Sequence, residues 1–160
     1  MIEVYIMKWL KRFLLFLFVL FLFILPTLLF KPDLEFYHSL KGPKLPSIVF
    51  PIVWSVIDVC MSIFFVYHFE KRKSYHPKDY ARVLLFYTLT YLSYFMFPYF
   101  FFVKQSLFLG YVFTLLNFLF ATLTLLESLL LNKKASLWVL PYVLWGIIAT
   151  VLSIIVYLNN

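Results

Sequence analysis

Residues 13–30, FLLFLFVLFLFILPTLLF, form a run of 18 residues without a charged side chain. A helix of about 20 residues crosses the hydrocarbon core of a bilayer. Because lipid offers no partner for backbone N–H and C=O groups, a uniformly apolar run indicates a helix, whereas a barrel strand alternates apolar and polar residues. The segment therefore predicts a membrane-spanning helix. We expect Pro26 to kink or end its last turn.

Four further apolar runs follow the first one. They cover approximately residues 47–67, 83–103, 106–131 and 135–158. Each is long enough to span a bilayer, and the connections are short except around residues 31–46 and 68–82. The sequence predicts one domain, residues 1–160, with the fold of an all-α integral membrane protein and a five-transmembrane-helix bundle.

The composition agrees with a protein that is solvated by lipid. Apolar residues make up 64% of the chain and charged residues 13%, whereas a soluble domain has about half and a quarter. High hydrophobicity excludes a disordered chain. A single cysteine, Cys60, excludes a disulfide scaffold.

The distribution of Lys and Arg predicts the orientation. If the N-terminus is cytoplasmic, ten of the 14 basic residues lie on that side and four on the other, which the positive-inside rule favours. The ten are Lys8, Lys11, Arg12, Lys71, Arg72, Lys73, Lys78, Arg82, Lys133 and Lys134. The net charge of +7 then requires no nucleic-acid partner. We expect a multi-pass protein of a bacterial cell membrane, with a first run too long for a signal peptide and therefore retained.

Two acids lie within the apolar runs, where ionisable groups are costly and often functional. Asp58 is one helical turn after Trp54 and on the same face. It is either a polar anchor or proton site inside a cavity, or a carboxyl group that is protonated or bonded to a neighbouring Tyr or Ser hydroxyl, and the sequence leaves both open. We expect Glu127 to reach the lysines that follow it, Lys133 and Lys134.

No metal site is predicted. The three histidines, His38, His68 and His76, lie in or beside loops, and none is spaced with another ligand as a metal site requires. The sequence also contains no glycine-rich phosphate loop and no nucleophile elbow. We therefore expect no required cofactor.

Aromatic and small residues recur at helical spacing in two runs. Pro51, Trp54, Asp58 and Met61 share one face of the second run. In the last run Pro141, Trp145, Ala149 and Ser153 are four residues apart. Such patterns are typical of ordinary helix contacts, where small residues let helices approach. The alternative is a cavity lined by flat rings, with Gly146 and Ala149 making room.

The chain resembles a known family at these positions. Residues 36–43, FYHSLKGP, followed by Pro46, Pro51, Trp54 and Met61, are similar to the first loop and second helix of the TspO family, also called translocator protein or peripheral benzodiazepine receptor. Residues 140–152, LPYVLWGIIATVL, match its last helix more closely. The resemblance covers the whole chain.

The resemblance implies a five-helix bundle, often a homodimer, with a pocket for porphyrin, haem and benzodiazepine-type ligands and, in animals, sterols. The family's pocket residues correspond to Trp54, Trp145, Tyr37 and Ala149, with Phe95 and Phe97 near its aromatic positions on the third helix. Aromatic faces bind a flat apolar disc such as a tetrapyrrole by stacking. Lys41 and Lys44 are candidates to meet its propionates.

Some positions depart from the family. Phe36, Phe95 and Phe97 stand where it tends to have Trp, and Asp58 stands in place of a Tyr. Asp58 therefore joins the candidate ligand-binding residues. We expect a membrane-embedded binding and sensory protein that uses a flat apolar ligand. The alternatives are a light-dependent porphyrin-degrading enzyme and a transporter of tetrapyrroles or lipids.

Overall fold

The computed structural model describes residues 2–160 and the side chains of residues 6–160. The helices are Ile2–Leu29 (α1), Leu34–Ser39 (α2), Val49–Lys71 (α3), Pro77–Pro98 (α4), Leu107–Leu131 (α5), Lys133–Ser136 (α6) and Leu140–Asn159 (α7). A 3-10 turn, Arg72–Ser74, continues α3, and a π-helical segment, Tyr99–Val103, continues α4. Five helices are long and apolar enough to cross a membrane. The predicted all-α, five-helix membrane fold is confirmed.

Several helices begin at positions that differ from the limits of the apolar runs that predicted them. Helix α1 begins at Ile2 rather than near residue 13, and α4 at Pro77 rather than near residue 83. A helix satisfies its backbone in the headgroup region as well as in hydrocarbon, and proline suits the first turn. The last predicted run, residues 135–158, lies within a span of residues 133–159 that is divided in two. Asn132 caps α6, accepting from Ala135 N at 3.1 Å, and α7 begins at Leu140.

The five long helices pack around one buried interior. Helix α1 packs against α3 and α4, α4 against α5, and α5 against α7. Phe23, Met61 and Val139 are fully buried between them. On the outside, large apolar side chains such as Phe18 and Leu130 are exposed, as a lipid environment favours.

Pro26 lies inside α1, which continues to Leu29. Because proline has no N–H, the carbonyl of Leu22, four residues earlier, loses its helical donor. The hydroxyl of Tyr91 on α4 donates to this carbonyl at 3.1 Å. An unpaired carbonyl in hydrocarbon is costly, so this contact ties α1 to α4 at the level of the proline.

Ion pairs join the helices at the end of the bundle predicted to be cytoplasmic. Arg12 of α1 pairs with Glu70 of α3. Arg82 of α4 pairs with Asp79 at 2.8 Å and with Glu127 of α5 at 3.0 Å. The expectation that Glu127 reaches the lysines after it is wrong, because an arginine on the neighbouring helix supplies its partner.

Candidate functional site

Four aromatic side chains meet between α3, α4 and α7: Trp54, Tyr94, Tyr142 and Trp145, called the aromatic cluster below. The centre of the Trp54 ring is 4.9 Å from that of Tyr94 and 5.8 Å from that of Tyr142. It is 6.5 Å from that of Trp145, at an interplanar angle of 85°. Aromatic pairs favour such edge-to-face contacts. The structure therefore brings together the two tryptophans that the sequence singled out.

Two more rings connect the aromatic cluster to the loop region that contains α2. Phe50 lies 6.0 Å from Trp145 and 5.4 Å from Tyr37, measured between ring centres. Tyr37 is buried, and its hydroxyl donates to the carbonyl of Leu45 at 2.9 Å. Burial raises the pKa of Tyr37, so its hydroxyl keeps its proton. The predicted residue Tyr37 thus closes one end of a continuous series of ring contacts.

Local sequence spacing explains why these rings share one space. Phe50, Trp54 and Asp58 are four residues apart on α3, and Tyr142 and Trp145 are three apart on α7. Residues three or four apart lie on one face of a helix. Each helix therefore presents a single aromatic face to the bundle interior.

Asp58 lies beside the aromatic cluster and is only 6% exposed. Its carboxyl group is near the hydroxyl of Tyr94. Asp58 Oδ1, Tyr94 Oη and Trp145 Nε1 are all buried without a hydrogen-bond partner among the described residues. Buried polar groups are nearly always paired, so three unpaired ones around one cluster call for an explanation.

Neighbouring polar groups that point away from the cluster are paired. The hydroxyl of Tyr142 donates to Asn117 Oδ1 on α5 at 3.1 Å. The hydroxyl of Tyr87 donates to the carbonyl of Met61 at 3.2 Å. Two further buried atoms without a partner, His68 Nε2 and Tyr75 Oη, lie near the other end of α3. Three of the five unpaired atoms among the described side chains are thus at the aromatic cluster.

The two predicted phenylalanines of α4 lie elsewhere. The ring of Phe95 contacts Phe30 at 5.6 Å and Tyr91 at 6.1 Å, on the side of α1. Phe97 stacks on Phe101 at 5.3 Å, in a second buried group that also contains Tyr37. Phe97 is thus near the loop end of the site, whereas Phe95 is outside the aromatic cluster.

The small residues of α7 serve helix packing. A Cβ atom added to Gly146 would lie 3.2 Å from Phe118 Cβ and 3.3 Å from its Cα, so this glycine lets α7 approach α5 closely. Ala149 is half-buried and packs against the main core. Of the two interpretations of this pattern, Gly146 therefore fits the ordinary helix contact, and it does not make room for a cavity.

Sequence reasoning missed three site residues: Tyr94, Tyr142 and Phe50. Phe50 and Tyr142 lie one turn before Trp54 and Trp145, and extending each tryptophan face by a turn would have found them. Tyr94 continues a stripe with Tyr87 and Tyr91 on α4. In a chain with 23% aromatic residues, that stripe does not stand out.

The geometry sets what the site can do chemically. Trp54 and Trp145 contact each other directly, so a flat ligand has to separate them and replace ring contact with its own faces. Asp58 supplies an acceptor, and Tyr94 and Trp145 supply donors. Within residues 6–160, no three His, Cys, Asp or Glu side chains are grouped so that they could hold a metal ion.

Comparison with known proteins gives two matches. The model of the TspO/MBR family matches residues 13–158. The protein named Tryptophan-rich protein TspO from Bacillus cereus is 29% identical to this chain over 143 residues, which cover 87% of this chain and 90% of that protein. The matched region includes all seven helices except the first part of α1 and the end of α7.

Proposed function

Because the chain belongs to the TspO/MBR family, we propose that its aromatic cluster binds porphyrin, haem or a similarly flat apolar ligand, and that occupancy of this site is sensed. Family membership and five membrane-spanning helices make the protein a multi-pass integral membrane protein of the sensory or binding kind. The ligand and its site residues are the proposed part.

The contact between Trp54 and Trp145 carries the proposal. These rings come from two different helices and meet inside the bundle at 6.5 Å. A flat ligand between them exchanges one ring contact for two, each worth about 1 kcal/mol beyond the area that it buries. Tyr94 and Tyr142 extend the apolar wall to the sides of Trp54.

The loop region before α3 supplies polar groups for the edge of a ligand. Tyr37 packs on Phe50 above Trp145 and holds the loop by its bond to Leu45. Lys41 is exposed, and Lys44 Nζ donates to the carbonyl of His38 at 2.6 Å. These ammonium groups suit propionates at the rim, while the tetrapyrrole plane lies between the rings.

Titration of the purified protein with protoporphyrin IX tests the site, with binding followed by the porphyrin absorbance. We expect a Trp54→Leu, Trp145→Leu double variant to bind about fivefold more weakly, since the ligand's net gain of one ring contact is lost. The chain has two other tryptophans, Trp9 and Trp138, which are 65% and 40% exposed.

A Trp9→Leu, Trp138→Leu variant is therefore the matched control and keeps the affinity of the wild type. Equal affinities of the two double variants for protoporphyrin IX would contradict the assignment of the site to the aromatic cluster. Thermal unfolding of both variants, measured without ligand, separates a lost site from a lost fold.

We propose further that the protein is a homodimer in a bacterial cell membrane, with its N-terminus cytoplasmic. The homodimer is proposed from the resemblance to the family alone, the Bacillus relative supports the bacterial membrane, and the ten basic residues on one side support the orientation. Single cysteines at Lys73 and Lys41, in a chain whose own Cys60 is buried, can be labelled with a membrane-impermeant maleimide in intact cells. Labelling at position 73 but not 41 would contradict this orientation.

A further inference from the structure

Asp58 is an acid without a basic partner. The other acids of α3, α4 and α5 have one: Glu70 pairs with Arg12, and Asp79 and Glu127 pair with Arg82. None of the ion pairs between described residues involves Asp58. Its side chain is nevertheless only 6% exposed and lies in a helix long and apolar enough to span a membrane. A buried carboxylate without a counter-charge is costly, and acids within a membrane ordinarily pair with another charged or polar group.

The tyrosines near Asp58 do not supply that partner. Tyr87, Tyr94 and Tyr142 all lie close enough to its carboxyl group to interact electrostatically. The hydroxyls of Tyr87 and Tyr142 donate hydrogen bonds to other acceptors. Neither the hydroxyl of Tyr94 nor Asp58 Oδ1 makes a hydrogen bond of normal geometry, but the two groups lie close together, so Tyr94 offers Asp58 a neutral donor and no counter-charge.

The rings beside Asp58 are of the kind that binds cations. Tryptophan and tyrosine faces attract an ammonium group through their quadrupole, and cages of such rings recognise organic ammonium ions. The aromatic cluster supplies four rings from three helices, and the centres of the other three lie 4.9–6.5 Å from that of Trp54. The carboxyl group of Asp58 lies next to these rings, and a bound ammonium group beside it would favour its negatively charged form.

We propose that this site recognises an organic cation, namely a flat aromatic ligand with a protonated nitrogen on or within its ring system. The ring system stacks on the tryptophans, and the N–H of the protonated nitrogen donates to Asp58 Oδ1. This assignment rests on the proposed ligand site and concerns its flat ligands other than porphyrins, which carry propionates and no protonated amine. It also explains the unpaired carboxylate, since the missing counter-charge arrives with the ligand.

Acridine and 9-aminoacridine are the probes, since they share a tricyclic ring and only the second is protonated at neutral pH. We measure the affinity of both for the full chain in lipid nanodiscs by equilibrium dialysis. We expect the wild type to prefer 9-aminoacridine by about tenfold, as a buried charge pair provides. Asp58→Asn, which is isosteric, lowers this preference to within about twofold of unity.

Two further variants keep the result interpretable. Glu127→Gln removes another helix carboxylate, one that Arg82 already neutralises, and keeps the preference of the wild type. Asp58→Tyr, which introduces the residue that the resembling family tends to have, loses the preference as Asp58→Asn does. If Asp58→Asn does not fold, Asp58→Tyr provides the test.

The outcomes separate the two proposals. If wild type and Asp58→Asn bind both acridines with the same ratio, the cation assignment is overturned, while binding of protoporphyrin IX leaves the aromatic site standing. If no flat ligand binds, including protoporphyrin IX, the proposed function itself fails. A preference that disappears in Glu127→Gln as well would show that total charge, and not Asp58, sets the selectivity.

Discussion

Helix α7 makes two different contacts inside the bundle. Toward α5, Gly146 lets the helix approach the backbone of Phe118, and the hydroxyl of Tyr142 is bonded to Asn117. Toward α3, large rings separate the helices, and Trp145 meets Trp54 while its Nε1 stays unpaired. One face is close-packed and hydrogen-bonded, whereas the other consists of large rings and includes a buried polar atom, Trp145 Nε1, without a hydrogen-bond partner among the described residues.

The difference indicates which contact opens for a ligand. Separating α7 from α5 would break a buried hydrogen bond and lose tight backbone packing, both of which are costly in lipid. Separating the rings between α7 and α3 loses aromatic contacts that a flat ligand restores. We therefore expect α5 and α7 to move as one unit, with ligand entry between α7 and α3.

The largest effect is expected from Gly146→Val. The new side chain meets Phe118 Cβ at 3.2 Å and its Cα at 3.3 Å, and the helix backbone cannot easily give way. We expect a loss of about 3 kcal/mol in the free energy of unfolding, typical of overpacking. Unfolding in mixed micelles measures it, with Ile147→Val, at a position 47% exposed, as the control. Wild-type stability of Gly146→Val would mean that the α5 face is not close-packed.

A matched pair of tyrosines gives a smaller effect. Tyr142→Phe leaves Asn117 Oδ1 without its donor, so we expect a loss of about 1 kcal/mol. Tyr94→Phe removes a hydroxyl that has no partner, and its stability stays within about 0.5 kcal/mol of the wild type. The same unfolding assay compares them. Equal losses of unfolding free energy in both variants would contradict the difference between the two faces of α7.

The smallest effect concerns pH at the loop end. The pKa of Tyr37 is raised by burial, so the protonated hydroxyl is the form that the fold favours. Its contribution is complete below about pH 10, the ordinary tyrosine value, and is lost as pH rises through the higher folded-state pKa. We expect wild type to exceed Tyr37→Phe in stability by about 0.5–1 kcal/mol at neutral pH, with the gap closing in alkali. A gap that widens in alkali would contradict this sign.

Much of the fold is predictable because lipid leaves few choices. Five apolar runs become five helices, since no other single-segment structure satisfies the backbone in hydrocarbon. Helix ends are harder, as α1 and α4 show by continuing into polar flanks. The ion-pair partner of Glu127 was also not predictable from the sequence, because Arg82 is distant along the chain and adjacent only in the bundle.

The candidate site was predictable in part. Trp54, Trp145 and Tyr37 were proposed from the resemblance, and the structure joins them through Phe50. Phe95 was placed by nearness along the chain, yet its side chain turns toward α1. Which face of a helix meets which neighbour depends on packing between helices, and a pattern within one helix does not contain that information.

The contact between Tyr91 and the carbonyl that Pro26 leaves free has an evolutionary consequence. A proline in α1 makes a hydroxyl at position 91 useful, because it replaces the missing donor at 3.1 Å. Without the proline, Leu22 regains its helical bond and the tyrosine loses this role. Among relatives of this chain, the two residues should therefore be gained and lost together.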